Sequence, residues 1–152
     1  MKMISCLMFS VLWIITIYMA NAQGLKDLPT YDREAVKYKR DWLISTTQTK
    51  TKSYSNSNGQ LVLSNGLISR VFDIEKGGAT VGLENLMTGE NMLRAIRPEA
   101  EVIIDGMNFP VGGLIGQPVQ NYLLDKWVQQ MVADPSALTL LDHKFGNTTP
   151  RF

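Results

Sequence analysis

Between Gln60 and Pro118 short apolar runs alternate with glycine turns, and none is long enough to carry a helix. The stretch reads QLVLSNGLISRVFDIEKGGATVGLENLMTGENMLRAIRPEAEVIIDGMNFPVGGLIGQP. Two hairpin patterns stand inside it. Leu61, Val62 and Leu63 run into Ser64-Asn65-Gly66 and resume over residues 67–74. Glu101, Val102, Ile103 and Ile104 run into Asp105-Gly106 and resume over residues 107–111. Asn-Gly and Asp-Gly favour tight two-residue turns, because both central positions then take positive φ, which these residues tolerate. Period-two alternation places Leu61 with Leu63, Ile68 with Arg70 and Phe72, and Val102 with Ile104 opposite Ile103. Lys76-Gly77-Gly78 breaks the run, Thr80 to Leu83 resumes it, and residues 85–89 (NLMTG) read as a turn. Arg97 precedes a proline and is disfavoured in helix, so a new extended segment starts at Glu99. Gly112, Gly113 and Gly116 loosen the backbone before Pro118. The expected class is mainly β: a partial antiparallel β-sandwich with a short N-terminal helix and one short amphipathic helix.

The flanks supply the helices. Residues 31–44 (YDREAVKYKRDWLI) suit a helix capped by Thr30, with Asp32, Arg33 and Glu34 in the first turn. Ala35, Tyr38 and Trp42 then share a face. Residues 45–58 (STTQTKTKSYSNSN) are polar and fit either an exposed strand or a linker. In residues 122–132 (YLLDKWVQQMV) Leu123, Leu124, Trp127, Val128, Met131 and Val132 mark one helical stripe. Asp134-Pro135-Ser136 ends it, and residues 138–145 (LTLLDHKF) read as a further strand. The expected organisation is a lead, helix and linker over 23–59, then a β segment over 60–152 that reads as incomplete at its C-terminus.

The first 22 residues read as a secretory signal. Lys2 is followed by an apolar run over 4–18, and Ala20-Asn21-Ala22 offers a small-x-small cleavage site. The run is short for a membrane span, so no stable span is expected after cleavage and the product is secreted or periplasmic. Cys6, the one cysteine, lies inside that run, which leaves the mature chain without disulfides and dependent on its apolar core. Loss of Lys2 balances basic against acidic residues, which excludes an electrostatic case, on net charge, for nucleic acid or acidic membrane as partner.

Chemistry-bearing patterns are few. Glu99 and Glu101 stand two apart on a predicted strand, about 7 Å from each other, a separation within the range of inverting glycosidase carboxylates. Two acids on an exposed strand face are also an ordinary surface feature. His143 is the one histidine, and no Gly-x-Ser-x-Gly elbow accompanies it. The scattered carboxylates show no metal-ligand spacing, so neither metal nor cofactor is expected. Gly112-Gly113-Leu114-Ile115-Gly116 lacks the Lys-Ser/Thr that a phosphate loop needs. Asn147-Thr148-Thr149 is a formal glycosylation sequon. Trp42, Tyr54 and Trp127 are the candidate sugar contacts, since aromatic rings stack on sugar C–H faces. Core packing is the competing role for Trp127, beside Leu124 and Met131.

The succession SNGLISRVF, ATVGLENLMTGENMLRAIRPEAEVIIDG, VGGLIGQP, NYLLDKW and ADPSAL resembles the N-terminal region of secreted bacterial melibiase-like proteins. These are α-galactosidase relatives of glycoside hydrolase family 36 and its clan. The resemblance spans residues 61–145. It implies a β-sandwich packed on a (β/α)₈ barrel that carries two catalytic aspartates and retains anomeric configuration. Those aspartates would lie downstream of the matched residues, so no catalytic role passes to Asp105, Asp125, Asp134 or Asp142. The implied partners are that barrel in the same protein and an α-galactoside or related glycan. Two other readings stay open: a stand-alone noncatalytic carbohydrate-binding or structural module, and an inactive truncated product.

Overall fold

A computed structural model describes residues 24–46 and 48–145. The glycine-punctuated stretch folds as its pattern predicts, into antiparallel strands. Five form a meander: β1 Lys52–Ser55, β2 Leu61–Ser64, β3 Ile68–Asp73, β4 Ala79–Asn85 and β5 Glu90–Asn91, each paired with its sequence neighbour. Two more form the ribbon β6 Ala100–Ile104 with β7 Met107–Val111, and a third small sheet joins β8 Leu114–Ile115 to β9 Val132–Ala133. The helices are short: a 3₁₀ turn at Leu25–Asp27, α1 Arg33–Val36 and α2 Asp125–Gln130. The chain is therefore mainly β. No helix among the described residues is long and apolar enough to cross a membrane. The expected signal segment and the sequon at Asn147 lie outside the described residues.

Residues 25–142 form one compact unit. Gly24 and residues 143–145 belong to a second, in which His143 stands edge-on to Phe145 with ring centroids 5.5 Å apart.

The two hairpin turns differ. Asp105 and Gly106 both take positive φ, 50° and 79°, as a two-residue turn between β6 and β7 requires. At the β2–β3 turn only Gly66 does, with φ 86°. Ser64 pairs with Ser69, so four residues make that loop. The Asn65 side chain accepts the N–H groups of Leu67 and Ile68 at 3.0 and 2.9 Å, which closes the turn without a left-handed Asn65.

Four expectations about the flanks are corrected, and one that was left open takes its strand form. The N-terminal helix is one turn, not residues 31–44, and its cap is Asp32, whose carboxylate accepts from Glu34 and Ala35 N–H. Thr30 instead bridges to Ser55. Beyond Val36 the backbone turns extended because Tyr38 N–H bonds the Gly66 carbonyl at 2.8 Å, docking this segment on the β2–β3 turn. The polar stretch contributes β1, an edge strand of the meander. Val132 leaves the helical stripe to pair in β9, and it is exposed. Residues 138–145 form no strand: Leu138 bridges once to Val111, and Leu141 is 93% exposed.

The core gathers where β4, β8 and the end of α2 meet. Ala79, Ile96, Leu114 and Met131 are buried together, with Val81, Leu123 and Val128 packed around them. Val62 and Leu86 are fully buried elsewhere in the meander, each burial contributing about 1.5–3 kcal/mol. Lys76 holds α2 in place: its ammonium donates to the carbonyls of Val128, Gln129 and Met131 at 3.2, 3.3 and 2.8 Å. A cation there satisfies orphan carbonyls and opposes the negative end of the helix dipole.

Candidate functional site

Glu99 and Glu101 do not act as a pair. Glu99 stands just before β6, where its N–H bonds the Val111 carbonyl at 2.8 Å. Its carboxylate turns inward, pairs with the Arg70 guanidinium and accepts the Thr80 N–H at 3.0 Å. Arg70 also donates through Nε to Thr80 Oγ1 at 2.9 Å and lies over the Phe72 ring at 4.7 Å. Glu99 is thus a structural tie from the ribbon to β3 and β4. Glu101 faces solvent and accepts from Asn108 Nδ2 at 3.0 Å. A cleft of about 330 Å³ opens beside the tie, bordered by Arg70, Thr80, Leu83, Leu93, Ile96 and Glu99. Glu99 is its one carboxylate, and that is already committed to a cation and an amide.

The three aromatic candidates are dispersed. Trp42 sits in a turn after α1 and is 49% exposed. Trp127 lies half-buried in α2, stacked on Tyr122 with centroids 5.3 Å apart and planes 27° from parallel. Tyr54, in β1, meets Tyr31 edge-on at 5.8 Å. Among the described residues no ring contact joins the three, so the structure assembles no aromatic platform from them. Tyr31 is a residue that sequence reasoning passed over. Its hydroxyl is buried without a hydrogen-bond partner. Burial pushes its pKa above that of an ordinary tyrosine; Ser69 opposes the shift, although its geometry falls short of a hydrogen bond. Beside it Glu84 hydrogen-bonds the Arg33 guanidinium at 2.7 Å and holds it still more firmly protonated.

Two larger clefts flank the meander. One of about 560 Å³ lies between the sheet and α2, bordered by Asn56, Gln60, Asp73, Lys76, Asp125 and Gln129 among others. Asp73 is spoken for on both oxygens, one accepting Lys76 N–H at 3.1 Å and the other Gln60 Nε2 at 3.3 Å. The other, of about 620 Å³, runs between residues 30–39 and β1, with the β2–β3 turn as its floor. Tyr54 lies in its lining with Tyr38, and four lysines surround them. Concave and open, with mixed polar and apolar linings, both suit binding a chain more than enclosing a reaction. No group of three or more His, Cys, Asp or Glu side chains among the described residues is placed to hold a metal ion.

The lysines and the Arg70–Thr80–Glu99 tie both escaped sequence reading. The tie joins residues 29 apart in sequence and had no local signal. The lysines did have one: Lys37 with Lys39 and Lys50 with Lys52 repeat at the period of an extended chain. No family model matches this chain, and no curated protein or solved structure matches it either.

Proposed function

We propose that this chain is the N-terminal β-rich part of a secreted carbohydrate-active protein of the α-galactosidase type. It is noncatalytic by itself, and it packs in a sandwich arrangement against a catalytic (β/α)₈ barrel of the same protein. The barrel would supply the two carboxylates that hydrolyse terminal α-galactosides by double displacement. One observation carries the supporting role. The β6–β7 ribbon presents large aliphatic side chains on both faces, with Ile103 74% and Met107 60% exposed and Val102 and Ile104 also open. A two-stranded ribbon is marginal alone, and exposed apolar surface of this kind suits a neighbouring body. The commitment of Glu99 to Arg70 fits a noncatalytic role. The residue pattern over 61–145 points to the lineage.

The test is to read the coding frame beyond Phe152 and to assay nitrophenyl α-galactoside hydrolysis with and without what it encodes. The chain alone is expected to show no turnover. The extended protein is expected to be active, and to lose solubility or activity when residues 23–145 are deleted. Turnover by the isolated chain, abolished by Glu99→Gln or Glu101→Gln, would move the site onto β6 and end this reading.

A further inference from the structure

The cleft of about 620 Å³ is lined by four lysines. Lys37, Lys39, Lys50 and Lys52 line it against a single acid, Asp32. Asp32 is engaged as the α1 cap through the Glu34 and Ala35 N–H groups. Four cations elsewhere have structural partners: Arg33 on Glu84, Arg70 on Glu99, Arg94 on Glu90, and Lys76 on the α2 carbonyls. None of the four cleft lysines enters an ion pair among the described residues. Four lysines without an ion-pair partner thus share one cleft, in a chain whose basic and acidic residues nearly balance.

The fold holds this arrangement in place. Tyr38 N–H on the Gly66 carbonyl fixes one wall, with Lys37 and Lys39 on either side of it. On β1, Lys52 and Tyr54 stand two apart and so share a face of the strand. Pairing of Lys52 with Ser64 fixes the other wall. A Cβ at Gly66 would stand 2.9 Å from the Val36 carbonyl, so the floor closes tightly under the α1 segment. Charges that approach within a Debye length, about 8 Å at physiological salt, act jointly on a ligand. Tyr38 and Tyr54 add rings that offer an apolar face and a hydroxyl together.

We propose that this cleft binds an anionic polysaccharide, with the paired lysines meeting its carboxylate or sulfate groups and Tyr38 and Tyr54 meeting sugar faces. The proposal rests on the carbohydrate reading above and adds a ligand class for this part of the protein. Lysine supplies compact point charges with free rotation, which suits anions spaced along a flexible chain. The two tyrosines favour a glycan over a bare polyphosphate.

Titration calorimetry on the purified protein tests this, using polygalacturonate, chondroitin sulfate, neutral galactomannan and poly(dT). Polygalacturonate, chondroitin sulfate or both should bind, the pair of arms telling carboxylate from sulfate. Affinity should fall as NaCl rises from about 50 to about 500 mM. K50E/K52E and K37E/K39E should each weaken binding about tenfold or more. K126E, on α2 and outside the cleft, should leave it unchanged. Thermal melting confirms that each variant is folded, and K50Q/K52Q, which removes charge without adding repulsion, should weaken binding in the same direction. Full affinity in both reversed pairs, or no binding of either polyanionic glycan, overturns the proposal. Tighter binding of poly(dT) than of either glycan overturns it in favour of nucleic acid. Galactomannan binding indifferent to the lysines overturns the cleft while leaving the carbohydrate reading standing.

Discussion

Tyr31 shows what a single buried hydroxyl does to this sheet. Its ring packs edge-on against Tyr54, yet its oxygen has no partner. An unsatisfied buried polar atom costs about 1–3 kcal/mol, so Tyr31→Phe is expected to raise stability by about 1 kcal/mol in urea titration. A loss of that size would mean that the hydroxyl is bonded after all. The pH dependence follows from the direction of the shift. The folded pKa lies above the unfolded value of about 10. Tyr31 therefore contributes stability that is complete below about pH 10 and is lost as pH rises through the folded pKa. Tyr31→Phe should remove this alkaline component, and an unchanged alkaline slope would refute the assignment. None of this was legible in the sequence, where Tyr31 is one residue of a supposed helix. The same holds for Glu99: its spacing from Glu101 is local and visible, but its bond to Arg70 depends on a β3–β4 register that no local pattern encodes.

Among the elements, those with period two and glycine turns were legible, and those resting on helical stripes were overread. The strands β2, β3, β4, β6 and β7 follow alternation and turn chemistry, which act over a few residues. The helix expected over 31–44 shrank to one turn because Tyr38 is worth more bonded to Gly66 than continued as helix. Glycines that look alike in the sequence also differ in place. Gly106 has φ 79° and open space around an added Cβ. Gly113 has φ 90°, and its Cβ would stand 3.0 Å from Pro98 N and 3.1 Å from Pro98 Cα. Backbone atoms cannot swing aside as a side chain does. Gly106→Ala should therefore cost about 1 kcal/mol, for the left-handed conformation alone. Gly113→Ala should cost about 2 kcal/mol or more, since strain and overlap add. Equal shifts in the urea midpoint would mean that the Gly113–Pro98 contact is looser than described.

Across the molecule, the apolar residues divide unevenly, and that division is invisible to alternation alone. Val102, Ile103 and Ile104 make a continuous aliphatic run of the kind that buried strands carry. In the fold β6 is exposed along its whole length. The core closes instead around Ala79, Ile96, Leu114 and Met131. Burial is a property of what surrounds a strand, and β6 pairs with β7 alone. Ile103 opposes Asn108 across the ribbon and points to the face opposite Val102 and Ile104. Ile103→Asp should then change the stability of the isolated chain by no more than about 0.5 kcal/mol, as an exposed site allows. The same change should reduce any self-association seen by sedimentation velocity, because an aspartate on a ribbon edge opposes strand and face pairing. In the extended protein proposed above it should do the reverse of nothing: a charge buried without a partner at an interface weakens docking severely. A large loss of stability in the isolated chain would instead place Ile103 in a core of its own. The ribbon would then have no need of a neighbour, and the supporting role proposed for this chain would lose the observation that carries it.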